Sequence, residues 1–191
     1  YRSMPRLLGV DVARFGDDET VIAVRHGMKI VELSRYQRQD IMQTVGKIAF
    51  ILHKYHKMEE VIVNVDDTGI GGGVTDRLKE LGIIGNHKAR ISPVNNGERA
   101  TDANYFNKGS ELWMKFAELL DKLSIPNDDD LIAQISTRKY RLTSDGKIRI
   151  EPKDEMKKRG LKSPDCADAV ILACASLLLK NLKKRSSFSI A

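Results

Sequence analysis

Four aspartates in this chain sit where a carboxylate has a chemical use and little structural excuse. Asp11 interrupts the apolar run Leu7, Leu8, Gly9, Val10, Asp11, Val12, Ala13, where an ionised side chain is costly to bury without a partner. Asp66 ends a second β-branched run, Val61 to Val65. If the two runs are parallel neighbours in one sheet, the two carboxylates lie side by side and repel one another. Asp165 and Asp168 stand three residues apart at the start of an apolar helix, a spacing that puts both on one face. Clustered hard oxygen ligands of this kind suit Mg²⁺ or Mn²⁺ rather than zinc. Two such ions roughly 4 Å apart can activate water and stabilise a leaving oxygen in phosphodiester hydrolysis. Each acid also has a plainer reading. Asp66-Asp67-Thr68-Gly69 can be a turn, and Asp165 can serve the macrodipole of a first helical turn.

The elements that must position these acids are legible in the pattern. Arg6 to Ala13, Glu19 to His26 and Lys29 to Tyr36 read as strands joined by short turns, hence an antiparallel meander. Asp40 with Gln43 signals a capped helix start, and Ile41, Val45, Ile48, Leu52 and Tyr55 continue at helical spacing. Val61 to Val65 is then a strand reached through a helix and therefore parallel to the first. Gly69 to Gly73 reads as a flexible loop, Val74 to Leu81 as a short helix stopped by Gly82, and Arg90 to Val94 as a fifth strand. Tyr105 to Leu123 predicts a long helix, and Pro126 to Asp130 a loop. Tyr140 to Leu142 and Lys147 to Ile150 flank the hairpin signal Ser144-Asp145-Gly146. Lys153 to Lys162 reads as a charged, mobile segment. Ser163-Pro164-Asp165 predicts a helix start with a serine cap, the helix running to about Leu182 before a basic tail. The order predicts an α/β fold whose mixed central sheet, an antiparallel three-strand meander plus parallel strands, has helices on both faces and an added β-hairpin.

The chain has 191 residues, enough for one full-sized core and too few for two large ones. The whole of 1–191 is expected to be a single domain, cut from a longer chain, since it opens on Tyr1 and enters a strand at Arg6. No apolar run reaches the roughly 18 residues of a membrane span. Cys166 and Cys174 are eight apart in one predicted helix, wrong for zinc and read as buried thiols of a cytosolic protein. His26, His53, His56 and His87 form no ligand pattern. The glycines of Gly69 to Gly73 invite a phosphate-loop reading, but no G-x-x-x-x-G-K-[ST] occurs, so ATP hydrolysis is not expected. The formal charge of +6 suits a polyanionic partner. The bases crowd the hairpin and the charged segment after it. Lys139, Arg141, Lys147, Arg149, Lys153, Lys157, Lys158 and Arg159 are the candidate contacts to nucleic acid, with no base-reading motif among them.

Four collinear segments carry a family resemblance over nearly the whole chain. They run from Gly9 to Ile22 (GVDVARFGDDETVI), Val63 to Leu78 (VNVDDTGIGGGVTDRL), Phe106 to Trp113 (FNKGSELW) and Lys153 to Ala169 (KDEMKKRGLKSPDCADA). Together they resemble the nuclease domain of the large terminase subunit of tailed bacteriophages. The resemblance implies a ribonuclease H-like fold and a divalent-metal endonuclease that cuts concatemeric double-stranded viral DNA during genome packaging. It also implies an ATPase motor domain preceding this one, with a small terminase subunit and the portal as partners in the bacterial host cytoplasm. It assigns Asp11 as the first catalytic acid, Asp66 rather than Asp67 as the second, Asp168 as the acid of the last helix and Asp165 as an additional acid. Asp168, between Ala167 and Ala169, is expected to ligate metal directly, and Asp165 to sit at the mouth of the site with a capping role available. Holliday-junction resolvases and transposases use a similar acid cluster. A module that only holds DNA, and an actin-like kinase or ATPase, are the readings from other classes; the latter needs two lobes.

Overall fold

The computed structural model describes residues 4–13, 18–55, 61–81 and 89–185, with side chains as far as Leu179. Five strands form the central sheet: β1 (Arg6–Asp11), β2 (Glu19–His26), β3 (Lys29–Gln37), β4 (Val61–Asp66) and β5 (Ala89–Val94). Their order is β3-β2-β1-β4-β5. The pairs β1/β2 and β2/β3 are antiparallel, whereas β4 runs parallel to β1 and β5 parallel to β4. This is the mixed sheet that the pattern predicts. The short turn between β2 and β3 permits only antiparallel pairing, and helical crossovers return the chain in parallel.

Both faces of the sheet are covered. Leu8, Val10, Val61, Val63 and Val65 point to a core built with α1 (Ile41–Tyr55) and α2 (Gly71–Glu80). The opposite face packs against α3 (Lys108–Leu119), α4 (Asp129–Thr137) and α6 (Asp165–Arg185). A hairpin of β6 (Tyr140–Leu142) and β7 (Ile148–Ile150), then the short α5 (Lys153–Lys158), lead into α6.

Strand alternation decides where the acids go. With Leu8 and Val10 committed to the α1/α2 core, Gly9 and Asp11 face α6. With Val63 and Val65 committed likewise, Asn64 and Asp66 also face α6. Val10 pairs with Val65, so Asp11 and Asp66 leave the sheet at adjacent strand ends. Gly9 lets the helix come close: a Cβ there would lie 2.0 Å from the Ala169 carbonyl oxygen and 2.2 Å from the Ala173 nitrogen. Asn64 Nδ2 donates to the Leu172 carbonyl at 2.8 Å, and the buried Arg25 donates through Nε to the Ala173 carbonyl at 2.8 Å. These bonds fix how far α6 slides along the sheet, and therefore where its first turn stands.

Several boundaries differ from the sequence expectation. Gly71–Gly73 are the first turn of α2 rather than a loop, since a Cβ at Gly71 would meet the Asp66 carbonyl oxygen at 1.6 Å. The helix expected over Tyr105 to Leu123 is shorter, beginning after an Asn107 cap that accepts from Ser110 N and ending in a 3-10 turn, Leu120–Lys122. α4 has no counterpart in the sequence expectation; Asp128, in the expected loop, caps it by accepting from Leu131 N. The segment read as mobile contains α5 and is tied down by ion pairs. Ser163, expected as the cap of α6, directs its hydroxyl to Asp165 Oδ1 at 2.5 Å, while Pro164 O accepts from Asp168 N. The turn expected at Gly16 and Asp17, the helix stop at Gly82 and the side chains of the basic C-terminal tail lie outside the described residues.

Candidate active site

The first turn of α6 lies over the C-terminal ends of β1 and β4, which brings strand and helix acids to one place. Asp11, Asp165 and Asp168 are all buried, at 3%, 5% and 7% exposure. The ammonium of Lys153, from the first turn of α5, stands among them. Its Nζ is 3.0 Å from Asp11 Oδ2, 3.2 Å from Asp165 Oδ1 and 3.0 Å from Asp168 Oδ2. Sequence reading puts Lys153 among the DNA contacts; the structure makes it the internal counter-ion of the acid cluster.

Asp66 borders the same cluster without touching Lys153. Its Oδ1 accepts from Thr68 N at 3.0 Å and its Oδ2 from Asn96 Nδ2 at 3.1 Å. Asp67 turns the other way: its Oδ1 lies beside Gly72 in the first turn of α2. Asp165, expected at the mouth of the site, is buried and borders a cavity of about 360 Å³ lined also by Asp18, Glu19 and Lys157. Its Oδ2 accepts from Glu19 N at 3.0 Å, and its Oδ1 faces Ser163 and Lys153. Asp168 Oδ1 accepts from Trp113 Nε1 at 2.7 Å and from Arg138 Nη1 at 3.1 Å.

These surroundings set the charge states. Burial pushes Asp11 well above the ordinary carboxylate range, and Asp168, Asp165 and Asp66 push the same way, with Lys153 opposing. Burial also raises Asp66. Burial acts on Asp168 in that direction too, but Lys153, Arg138 and the hydrogen bonds to it outweigh this and hold it below its ordinary value. Burial would strip the proton from Lys153; three facing carboxylates reverse that and keep it charged. Asp11 and Asp168 thus shift in opposite directions around one ammonium.

The donor set fits a divalent cation. All four acids offer hard oxygens, and a cation, the ammonium, already stands between three of them. Among the described residues no three acidic, histidine or cysteine side chains are arranged to hold an ion as they stand. Asp11, Asp66, Asp165 and Asp168 are the side chains that would hold an ion, in the place beside which the Lys153 ammonium stands. A cavity of about 280 Å³ opens beside Asp66 and Asp168, walled by Asn96, Arg138, Arg149 and Lys153.

The other candidate DNA contacts divide by environment. Arg149 lies 4.4 Å over the Phe106 ring at the cavity wall. Lys139 and Lys158 are exposed. Arg141 is within 3.6 Å of Glu155, and Lys147 within 2.7 Å of Asp145, both pairs substantially exposed. Lys157 pairs with Asp18 at 2.8 Å, and Arg159 binds both oxygens of Glu151 at 2.7 Å. Sequence reasoning misses the partners of the acids: Trp113, Arg138, Asn96 and, as a partner of Asp165, Ser163. A tryptophan at helical spacing reads as core, and nothing in the sequence says where its N–H points.

No family model and no curated protein matches the chain by sequence. Solved structures do match by fold. The nuclease domain of the large terminase subunit of bacterial virus Sf6 superposes with a TM-score of 0.75 at 18% identity, over 91% of this chain and 89% of that one. A variant of that domain solved with manganese gives 0.74 at 17% identity, with the same coverage. The large terminase nuclease of thermophilic phage G20c, solved with magnesium, gives 0.66 at 18% identity, over 90% and 80%. In fold, this chain is similar to the nuclease domains of phage large terminase subunits, with their ribonuclease H-like mixed sheet flanked by helices.

Proposed function

We propose that this chain is a metal-dependent endonuclease that cleaves double-stranded DNA, acting on concatemeric viral DNA during genome packaging. The observation that carries this reading is the gathering of Asp11, Asp165 and Asp168 from a strand and a helix around one cation position, with Asp66 at its border. The solved neighbours with manganese and magnesium support Mg²⁺ or Mn²⁺ as the cofactor. In this reading an ATPase motor domain, a small terminase subunit and the portal are the partners, in the cytoplasm of the bacterial host.

Two divalent cations held there would supply Lewis acidity at the scissile phosphate and make water nucleophilic near neutral pH. The chain's own groups do the rest. Asp168, whose Oδ1 accepts from Arg138 and Trp113, and Asp66, oriented by Thr68 and Asn96, present fixed oxygens. Asp11, at the end of β1, would supply a further carboxylate oxygen to the cation. Lys153 keeps the acids from repelling one another until cations arrive. Arg149 stands at the cavity wall, where its guanidinium meets the phosphates of an entering strand.

The test is to incubate supercoiled plasmid with the protein in Mg²⁺, Mn²⁺ or a chelator. Nicked and linear DNA are expected with metal alone, and none with Asp11→Asn. Undiminished cutting by Asp11→Asn, or cutting in chelator, refutes the proposal. Metal-independent DNA binding without cleavage selects a DNA-holding module instead.

A further inference from the structure

Two fixed donors converge on one oxygen of Asp168, and the Lys153 ammonium stands at the other. The Trp113 indole from α3 and the Arg138 guanidinium from the approach to β6 both donate to Oδ1. The two donors are themselves locked together, with the guanidinium 4.4 Å from the centre of the Trp113 ring and Arg138 Nε donating to the Glu151 carbonyl at 2.9 Å. Neither is free to move aside: Trp113 is 8% exposed and the Arg138 side chain 7%. Two donors use both lone pairs of Oδ1. Oδ2 alone is left facing the cluster, where the Lys153 ammonium now stands at 3.0 Å.

We propose that Trp113 and Arg138 are positioning residues that make Asp168 a one-oxygen ligand and so select Mg²⁺ and Mn²⁺ against Ca²⁺. The inference rests on the metal-site reading given above. The small Mg²⁺ ion demands near-octahedral geometry at about 2.0–2.1 Å, which single carboxylate oxygens satisfy. Ca²⁺ takes roughly six to eight oxygens at about 2.3–2.6 Å and commonly engages both oxygens of one carboxylate. Blocking Oδ1 removes that second oxygen and costs Ca²⁺ more than it costs Mg²⁺.

The experiment measures Mn²⁺, Mg²⁺ and Ca²⁺ affinities by calorimetry on the unmodified protein and on Trp113→Phe, Arg138→Gln, the double variant and Arg138→Lys. Trp113→Phe keeps an aromatic ring in the core and deletes only the N–H. The affinity for Ca²⁺ relative to Mn²⁺ is expected to rise about threefold in Trp113→Phe and about tenfold in the double variant, the low end of the net contribution of one hydrogen bond per donor removed. Arg138→Lys keeps a donor and a charge, so its ratio stays near the unmodified one. Loss of the Arg138 charge strengthens all three cations together, and damage to the fold weakens all three together; neither moves the ratio. An unchanged ratio in variants that still bind Mn²⁺ overturns the inference alone. Failure of the unmodified protein to bind any of the three cations overturns the metal-site reading, and the inference with it.

Discussion

At the scale of residues, the site is organised by one lysine. With Lys153 in place, three buried carboxylates share a cation; without it they face one another across a low-dielectric gap. Lys153→Ala is therefore expected to lose about 2 kcal/mol of stability in chelator, a buried-pair value reduced because the lysine side chain is 35% exposed. Mn²⁺ restores the melting temperature of this variant and binds it more tightly than the unmodified protein. Melts and calorimetry with and without Mn²⁺ check this, and equal or weaker Mn²⁺ binding contradicts the role given to Lys153. A second expectation concerns Asp11, whose proton is held more tightly folded than unfolded. Over the pH window from the ordinary carboxylate value up to the raised one, the native state binds more protons, so metal-free stability falls as pH rises. Melts in chelator across that window are expected to show this decline, and Asp11→Asn to flatten it. The four acids can be read from the sequence because charge inside apolar runs is visible there. Their counter-ion and the Trp113 and Arg138 grip cannot, because those contacts join residues 12 to 142 positions apart with no periodicity to mark them.

At the scale of elements, α6 is the part that makes or breaks the site, and Gly9 is what allows it to seat. Gly9→Ala puts a methyl group inside contact distance of the α6 backbone at Ala169 and Ala173. Backbone cannot swing aside as a side chain does, so a loss of about 3 kcal/mol or more is expected, with Mn²⁺ affinity falling because Asp165 and Asp168 move with the helix. A Gly9→Ala protein that melts and binds Mn²⁺ like the parent contradicts the close packing of α6 on β1. The strands and α1 are legible because their signals are local. Asp40 and Gln43 exchange the two hydrogen bonds of a capping box, at 2.7 and 3.0 Å. α4 and α5 are not, for different reasons. α4 opens on Asp128, Asp129 and Asp130, which read as loop, and α5 is a six-residue charged stretch held by tertiary ion pairs rather than by apolar periodicity.

At the scale of the whole molecule, the positive charge divides into bases engaged with acids and bases that face outward. Lys157 and Arg159 are engaged by Asp18 and Glu151, while Arg149 lines the cavity and Lys139, before β6, and Lys158, at the end of α5, are exposed. Replacing Lys139, Lys158 or Arg149 is expected to lower the salt slope of DNA binding by about one unit each. Replacing Arg159 is expected to act on stability first. Binding isotherms over a salt series separate the two groups, and an equal slope change for Arg159 contradicts the division. The order of the sheet is readable from connection lengths alone, since short turns among the first strands and helical crossovers after them leave few topologies. If the acids of β1, β4 and α6 form one cation site, an anomalous difference map from crystals soaked in Mn²⁺ is expected to show peaks among Asp11, Asp66 and Asp168 with the Lys153 ammonium displaced. Crystals with Lys153 still seated and no peak in the cluster would rule that site out.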